Sequence, residues 1–170
     1  VFRQHGIPTP AFTLVESAEA LDALESARYP VFLKPVWEGS SKGIGAASYA
    51  ATPDAARRRA RELLATYEQP VLAEAYLPGE EFTVAVLGNG AELQMIGPAE
   101  IVPLRVPREE FVYSIEVKRA LDWADLFEYH LPPRRTAAEI AAVERLALAA
   151  YRALGCRDIA RIDIRAGRDG

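Results

Sequence analysis

The sequence predicts an α+β fold, and three observations carry that prediction. The elements read in the order βαββαβ, then a run of strands, then one helix and one strand. A doubly wound parallel sheet would need strands and helices to alternate throughout. Asn89-Gly90 separates two strand-like runs, Glu81 to Gly88 and Ala91 to Ile96, in the manner of a hairpin turn. Two helices open on strong caps, at Thr52-Pro53-Asp54 and at Thr136-Ala137-Ala138-Glu139.

Taken in order, Val1 to His5 reads as the end of a helix stopped by Gly6, and Pro8 and Pro10 keep the next stretch extended. Phe12 to Val15 is a short strand. Ser17 is placed to cap a helix running to about Ala27, with Leu21 and Leu24 inward. Val31 to Lys34 is a strand ended by Pro35. The loop Glu38 to Gly45 leads to a further strand reaching about Ala50. After Thr52, Ala56, Ala60, Leu63, Leu64 and Tyr67 fall at helical spacing, while Arg57-Arg58-Arg59-Ala60-Arg61 reads as a solvated face. Val71 to Glu74 is a strand, and Glu100 to Val106 adds another after the hairpin. Pro107 to Pro133 shows no clean period, and its length suits a functional loop or lid. The helix from Thr136 turns Ile140, Val143, Ala147, Ala150, Tyr151 and Leu154 inward and closes at Gly155. Ile159 to Arg165 is the last strand, and Gly167-Arg168-Asp169-Gly170 begins a hairpin turn. The expected division lies near Gly88, between residues 1–88 and residues 89–170.

Composition narrows the function classes. Hydrophobic residues make up 50% and charged residues 26%, the balance of a globular protein. A net charge of −4 argues against nucleic acid as a partner. No apolar run approaches the ~18 residues of a membrane span, and no signal peptide opens the chain. Cys156 is the only cysteine, which rules out an intrachain disulfide and suits the cytoplasm. It reads as a small buried residue. His5 and His130 read as surface residues, without the spacing of a zinc site.

Three features carry chemistry. The loop Glu38-Gly39-Ser40-Ser41-Lys42-Gly43-Ile44-Gly45 offers flexible backbone, amides and hydroxyls to an anion. It lacks the Gly-Lys-Ser/Thr ending of a Walker A loop and opens no helix; alone, it reads rather as a plain hairpin. Lys34, at the end of an apolar strand, must reach solvent or find an anion, and a nucleotide phosphate is an economical partner. The second feature, Val71 to Glu81, joins an apolar strand to exposed backbone and then to acids. Such a hinge suits an adenine edge and a ribose, although alone it reads rather as a surface turn with solvated acids. The third is Arg161-Ile162-Asp163-Ile164. Alternation puts Arg161 and Asp163 on one face and the isoleucines on the other. The polar pair suits an oxygen-ligated Mg²⁺ and a developing anion, or a surface ion pair.

In order along nearly the whole chain, these pieces resemble the ATP-grasp family, and among its members the D-alanine–D-alanine ligases. The motifs are Gly6-Ile7-Pro8-Thr9-Pro10, Phe32 to Pro35 with the glycine loop, Leu72-Ala73-Glu74, Gly79 to Gly88, Tyr113 to Lys118, Leu154-Gly155-Cys156 and Ala160 to Asp163. The resemblance implies two α+β lobes clasping ATP between antiparallel or mixed sheets, residues 1–88 forming the N-terminal lobe and residues 89–170 the C-terminal one. It implies ATP and Mg²⁺ (or Mn²⁺) as cofactors and an ADP-forming ligase that joins a carboxylate to an amine through an acyl phosphate. Lys34, Glu38, Gly39, Ser40, Ser41 and Gly43 would hold phosphates. Glu74, Ala75, Tyr76 and Leu77 would hold adenine, and Glu81 the ribose. Lys118 would reach the γ-phosphate. Asp163 would ligate the metal, and Arg161 would act on the acyl phosphate, with Lys118 and Ser40 also in the catalytic set.

Further implications concern the protein around this chain. They are a small amino-acid or dipeptide-type substrate, a role in peptidoglycan precursor synthesis in the cytoplasm, room for a homodimer, and no membrane or nucleic-acid partner. An upstream lysine, an N-terminal substrate domain and more metal ligands after Gly170 would complete the enzyme, so this piece alone is expected to be inactive or nearly so. Two departures bear on the substrate: Arg119 follows Lys118 where these ligases usually carry tyrosine, and the stretch Trp123 to His130 looks longer. Another acid and amine pair, or a non-catalytic nucleotide-binding module, are the alternative readings.

Overall fold

The structure is a computed structural model and describes residues 1–120 and 122–168. It forms two compact units. One comprises Pro10–Tyr76 and Val112–Trp123; the other comprises Val1–Thr9, Leu77–Phe111 and Ala124 onward.

The first unit is built on strands β1 (Phe12–Val15), β2 (Val31–Pro35), β3 (Tyr49–Ala50) and β4 (Val71–Ala75), with helix α1 (Pro53–Tyr67). The sheet order is β1-β4-β2-β3, and every pairing is antiparallel. Alternation explains its layering. Val31 and Leu33 are buried, while Phe32 and Lys34 turn to the other face. Helix α1 begins where predicted: Thr52 Oγ1 accepts from the Ala55 amide at 3.3 Å, and Pro53 takes the first turn, where a missing N–H costs nothing. Its inner residues Ala56, Ala60 and Leu63 join Leu33, Val71 and Ala73 in one core. Leu21 and Leu24 close that core from the stretch Ala18–Ser26, which is a 3-10 helix in which Ser17 makes no cap bond to the backbone. The arginine run is not uniformly solvated. Arg57 reaches Glu25 and Asp54, and Arg59 packs against the loop described below.

The second unit contains β5 (Glu81–Leu87), β6 (Gln94–Pro103), β7 (Phe127–His130), helix α3 (Ala137–Ala153) and β8 (Ile159–Arg165), in the sheet order β7-β6-β5-β8. Between β6 and β7 in the chain, the five-residue helix α2 (Ile115–Arg119) belongs to the first unit. All pairings in this sheet are again antiparallel. Phe82, Val84 and Val86 are buried on one face, and α3 covers Val84 and Val86 with Ala147 and Tyr151. The capping box is present in both directions: Thr136 Oγ1 accepts from the Glu139 amide, and Glu139 accepts from the Thr136 amide.

The structure corrects several expectations. The runs Ala91 to Ile96 and Glu100 to Val106 are one ten-residue strand, β6. Pro98 stands inside this strand. It lies where β6 is not yet joined by β7, which pairs only with Glu100 to Pro103, and a strand tolerates proline where it lacks a second neighbour. Asn89-Gly90 is not a two-residue turn; Gly90–Glu92 form a 3-10 turn, and the Asn89 side chain exchanges two hydrogen bonds with Asp158. The aperiodic stretch contains the strand β7, anchored by Phe127 against Phe111. Leu154 lies past the end of α3 and is 54% exposed, so it does not point inward. His130 is not a surface residue: its side chain is 11% exposed and pairs with Glu128. Residues 77–88 belong to the second unit, where β5 pairs along its length with β6 and β8. The turn proposed at Gly167 to Gly170 lies partly outside the described residues. Among those described, no helix is long and apolar enough to cross a membrane.

Candidate functional site

In the first unit Lys34 and Glu74 share one face of the sheet, the glycine loop following β2 at its Pro35 end and Ala75 and Tyr76 lying at the opposite end beside Val31 and Pro30. Lys34 leaves the end of β2 on the face opposite Leu33, and its Nζ lies 2.5 Å from Oε2 of Glu74 on the neighbouring β4. The anion that the lysine requires is therefore Glu74 in this structure. Beside the pair, Tyr76 stacks on Phe32 at 6.2 Å and meets the Tyr49 ring edge-on at 5.0 Å. The Ala75 and Tyr76 amides donate to Ala11 O and Pro30 O, so a purine edge would have to use other groups of the hinge.

The glycine loop is held in a specific shape. Ser40 and Ser41 adopt φ of 54° and 61°, and Gly43 a φ of 74°. Two successive non-glycine residues in the left-handed region cost about 1–3 kcal/mol each, and such outliers cluster at ligand clamps. A Cβ on Gly43 would come within 2.6 Å of the Pro35 ring, so only glycine fits there. Three contacts fix the loop. Arg59 donates to Gly43 O at 2.9 Å. Gln69 accepts from the Trp37 amide at 2.6 Å and donates to Glu38 at 3.2 Å. Lys42 lies 3.4 Å from the other oxygen of Glu38. Gly39 and Ser40 are exposed at the tip.

Lys118 reaches the same loop from far along the chain. Its helix, α2, is capped by Ser114, which accepts from Val117 N at 3.4 Å. Lys118 Nζ donates to Ser41 Oγ at 2.8 Å, and Ser41 Oγ donates to Tyr113 O at 3.2 Å. The ammonium also lies 4.4 Å from the centre of the Tyr113 ring. The loop thus carries two hydroxyls and Lys42, and Lys118 contacts it from outside.

The second unit carries Leu77, Glu81, Arg161 and Asp163. Antiparallel register sets Glu81 opposite Arg165 and Thr83 opposite Asp163, on the face away from the buried Phe82 and Val84. Thr83 Oγ1 donates to Asp163 Oδ1 at 2.9 Å. Arg161 donates to both oxygens of Asp163, at 3.0 and 3.1 Å. This pair is exposed, 65% and 54% by side chain, so water screens it and it adds little to stability. Its carboxylate is an oxygen donor of the kind Mg²⁺ takes. Among the described residues, however, no group of three or more His, Cys, Asp or Glu could hold a metal ion, so Asp163 fits as a single ligand.

Behind this face, Glu100 is 1% exposed and held by Arg108 and Arg135, which also reach Glu80. The hydrogen bond to Glu100 raises the Arg135 guanidinium above its ordinary range.

Sequence reasoning missed Arg59, Gln69 and Arg165. Arg165 could have been found, since the alternation that pairs Arg161 with Asp163 continues to it. Arg59 and Gln69 carried no signal, because their partners are loop atoms set by tertiary folding.

The two antiparallel sheets with their helices form the α+β fold of ATP-grasp proteins. Residues 1–170 match the family described as "D-ala D-ala ligase C-terminus", and the chain belongs to that family. Curated relatives agree. The D-alanine–D-alanine ligase of Acidovorax ebreus (strain TPSY) is 32% identical over 165 residues, covering 96% of this chain and 46% of the relative. That of Verminephrobacter eiseniae (strain EF01-2) is 36% identical over 166 residues, with coverage of 96% and 47%. Among solved structures, the VanG D-Ala:D-Ser ligase from Enterococcus faecalis aligns with a TM-score of 0.73 at 27% identity, over 99% of this chain and 46% of that one. D-alanyl-alanine synthetase A from Vibrio cholerae aligns at 0.75 with 16% identity, over 99% and 50%, which speaks to the fold alone. The chain spans about half the length of the curated relatives it matches.

Proposed function

We propose that the protein containing this chain is an ATP-dependent, ADP-forming carboxylate–amine ligase. Its expected reaction is the joining of two D-alanines for peptidoglycan precursors in the cytoplasm. The observation that carries the reading is the contact between Lys118 and Ser41. A lysine from the lid segment and a hydroxyl of the glycine loop, 77 positions apart, come together where a γ-phosphate needs cations and donors.

The chemistry proceeds in two displacements. A carboxylate oxygen of the acid attacks the γ-phosphorus, and the bond to the ADP oxygen breaks, giving an acyl phosphate and ADP. The amine nitrogen then attacks the acyl carbon. The tetrahedral species expels inorganic phosphate, and the nitrogen gives up a proton. Phosphoryl transfer of this kind depends on positioning and charge neutralisation more than on covalent catalysis.

Lys34, exchanging Glu74 for phosphate oxygens, and Lys118 supply positive charge. Ser40, Ser41 and the backbone from Glu38 to Gly43 donate hydrogen bonds. Residues Glu74 to Leu77 take the adenine, and Glu81 takes the ribose hydroxyls. Arg161 neutralises the acyl phosphate and the tetrahedral oxyanion. Bound through Asp163 and further ligands, Mg²⁺ would supply Lewis-acid stabilisation of the transferring phosphoryl group. The lid segment excludes water, which would otherwise hydrolyse the acyl phosphate.

Arg119, at the end of α2, favours a second reading in which the amine or acid differs from D-alanine. Both readings meet one experiment. The full-length protein is given ATP, Mg²⁺ and single amino acids or pairs, and ADP and dipeptide are measured. ADP release with D-alanyl-D-alanine supports the first reading, and release with another pair supports the second. Nucleotide binding with no amino-acid-dependent ADP would overturn both and leave a binding module.

A further inference from the structure

Arg165 gathers four acceptors from two separate stretches of the second unit, residues 77–81 and 108–111. Its Nε donates to Leu77 O at 2.6 Å, and its Nη1 donates to Glu81 Oε2 at 3.2 Å. Both terminal nitrogens reach Phe111 O at 3.2 Å, and Nη2 reaches Arg108 O at 3.4 Å. The side chain is 21% exposed. Its place is dictated by register, because Arg165 lies directly opposite Glu81 in the β5·β8 ladder. Close packing supports the arrangement. Gly79 donates to Ala166 O, Ala166 donates to Glu80 O, and a Cβ on Gly79 would come within 2.4 Å of Gly167 O.

The fork of a guanidinium suits this task and an ammonium does not. Five N–H donors held in one plane can serve carbonyls on one side and a carboxylate on the other at fixed angles, whereas a lysine offers one movable point charge. A carboxylate held by such a fork loses the freedom to rotate away, so it meets a ligand hydroxyl already aimed. The same fork holds the carbonyl of Leu77, the last residue of the proposed adenine hinge, and the carbonyl of Phe111, where the lid segment departs.

The geometry points to Arg165 as a positioning residue for nucleotide selection: it aims the Glu81 carboxylate at the ribose hydroxyls and fixes the hinge at Leu77. This inference rests on the proposed contact between Glu81 and ribose. It predicts that discrimination between ATP and 2′-deoxy-ATP depends on a residue that does not itself touch the nucleotide.

The test uses the full-length protein and compares kcat/KM for ATP with that for 2′-deoxy-ATP in wild type, Glu81→Gln, Arg165→Met, Arg165→Lys and the double variant Glu81→Gln/Arg165→Met. Wild type is expected to prefer ATP by about tenfold or more, since a site built to hydrogen-bond a hydroxyl rejects the analogue lacking it. Arg165→Met should bring the preference close to that of Glu81→Gln, chiefly through KM, and the double variant should show no further loss. Arg165→Lys keeps the charge and should still lose most of the preference, which provides a reading should the methionine variant fold poorly. A wild-type preference in both folded Arg165 variants, with a reduced one in Glu81→Gln, would overturn the role of Arg165 alone. An unchanged preference in Glu81→Gln would overturn the ribose contact and this inference with it, while ADP formation would show the ligase reading still standing.

Discussion

Lys34 and Glu74 show how much of the site a single residue position can announce and where that stops. A lysine on a strand whose other face is core has few acceptable surroundings, and the sequence alone left it solvent or an anion. That the anion in this structure is Glu74 depends on the pairing of β2 with β4, which no local pattern reveals. If Lys34 exchanges that carboxylate for phosphate on binding, Lys34→Ala in the full-length protein should raise the Kd for ATP about tenfold to a hundredfold, as expected for a lost hydrogen bond between charged groups. Isothermal titration measures it, and an unchanged Kd would remove Lys34 from the site.

Asp163 was legible in another way, through the alternation that sets it with Arg161 and apart from Ile162 and Ile164. The polar partners now around it, Arg161 and Thr83, leave it on the surface rather than in a core. If Asp163 ligates the metal, Asp163→Asn should lower kcat by at least about tenfold while the Kd for ATP changes less, because a metal ligand acts chiefly on the transferring phosphoryl group. Steady-state kinetics beside nucleotide titration separate the two effects, and equal losses in both would point to a general binding role.

At the scale of elements, caps and alternation were legible and tertiary accommodation was not. Thr52 and Thr136 mark their helices because hydroxyls satisfy amides left open in the first turn. By contrast, β6 reads as two pieces since proline and glycine interrupt it. In the fold these are tolerated because β7 joins only one end and a register shift falls opposite Ala85 and Val86, with Gly97 at φ 108°. The strand β7 was hidden in an aperiodic stretch although Phe127 and Tyr129 alternate with polar neighbours.

Removing the cap of α3 by Thr136→Ala should cost about 1 kcal/mol, visible as a lower Tm. The reciprocal partner, Glu139, has its carboxyl lowered first by the Thr136 side chain and then by the Thr136 amide. A carboxyl lowered in the folded state contributes stability at pH above its unfolded value, and loses that contribution as pH falls through the folded value. The Tm difference between wild type and Glu139→Gln should therefore be present at pH 7 and shrink in acid below the ordinary carboxylate range. A difference that stays constant as the pH falls well below that range would show that the charge on the cap contributes nothing.

For the whole molecule, the order of motifs was more informative than any one of them. Taken singly, the glycine loop and the acidic hinge were no better than surface turns. Their sequence along the chain pointed to a family that matches all 170 residues. Glu81 to Leu87 look like a continuation of the hinge, yet they pair with β8, which comes much later in the chain, as well as with the neighbouring β6.

The central claim is that a carboxylate is activated by phosphorylation, and oxygen transfer tests it most directly. The full-length protein would turn over ATP with an amino acid whose carboxylate carries ¹⁸O, and the inorganic phosphate would be analysed by mass. The account predicts one labelled oxygen in each phosphate released, in step with ADP. Phosphate without label, or label appearing in AMP, would contradict it.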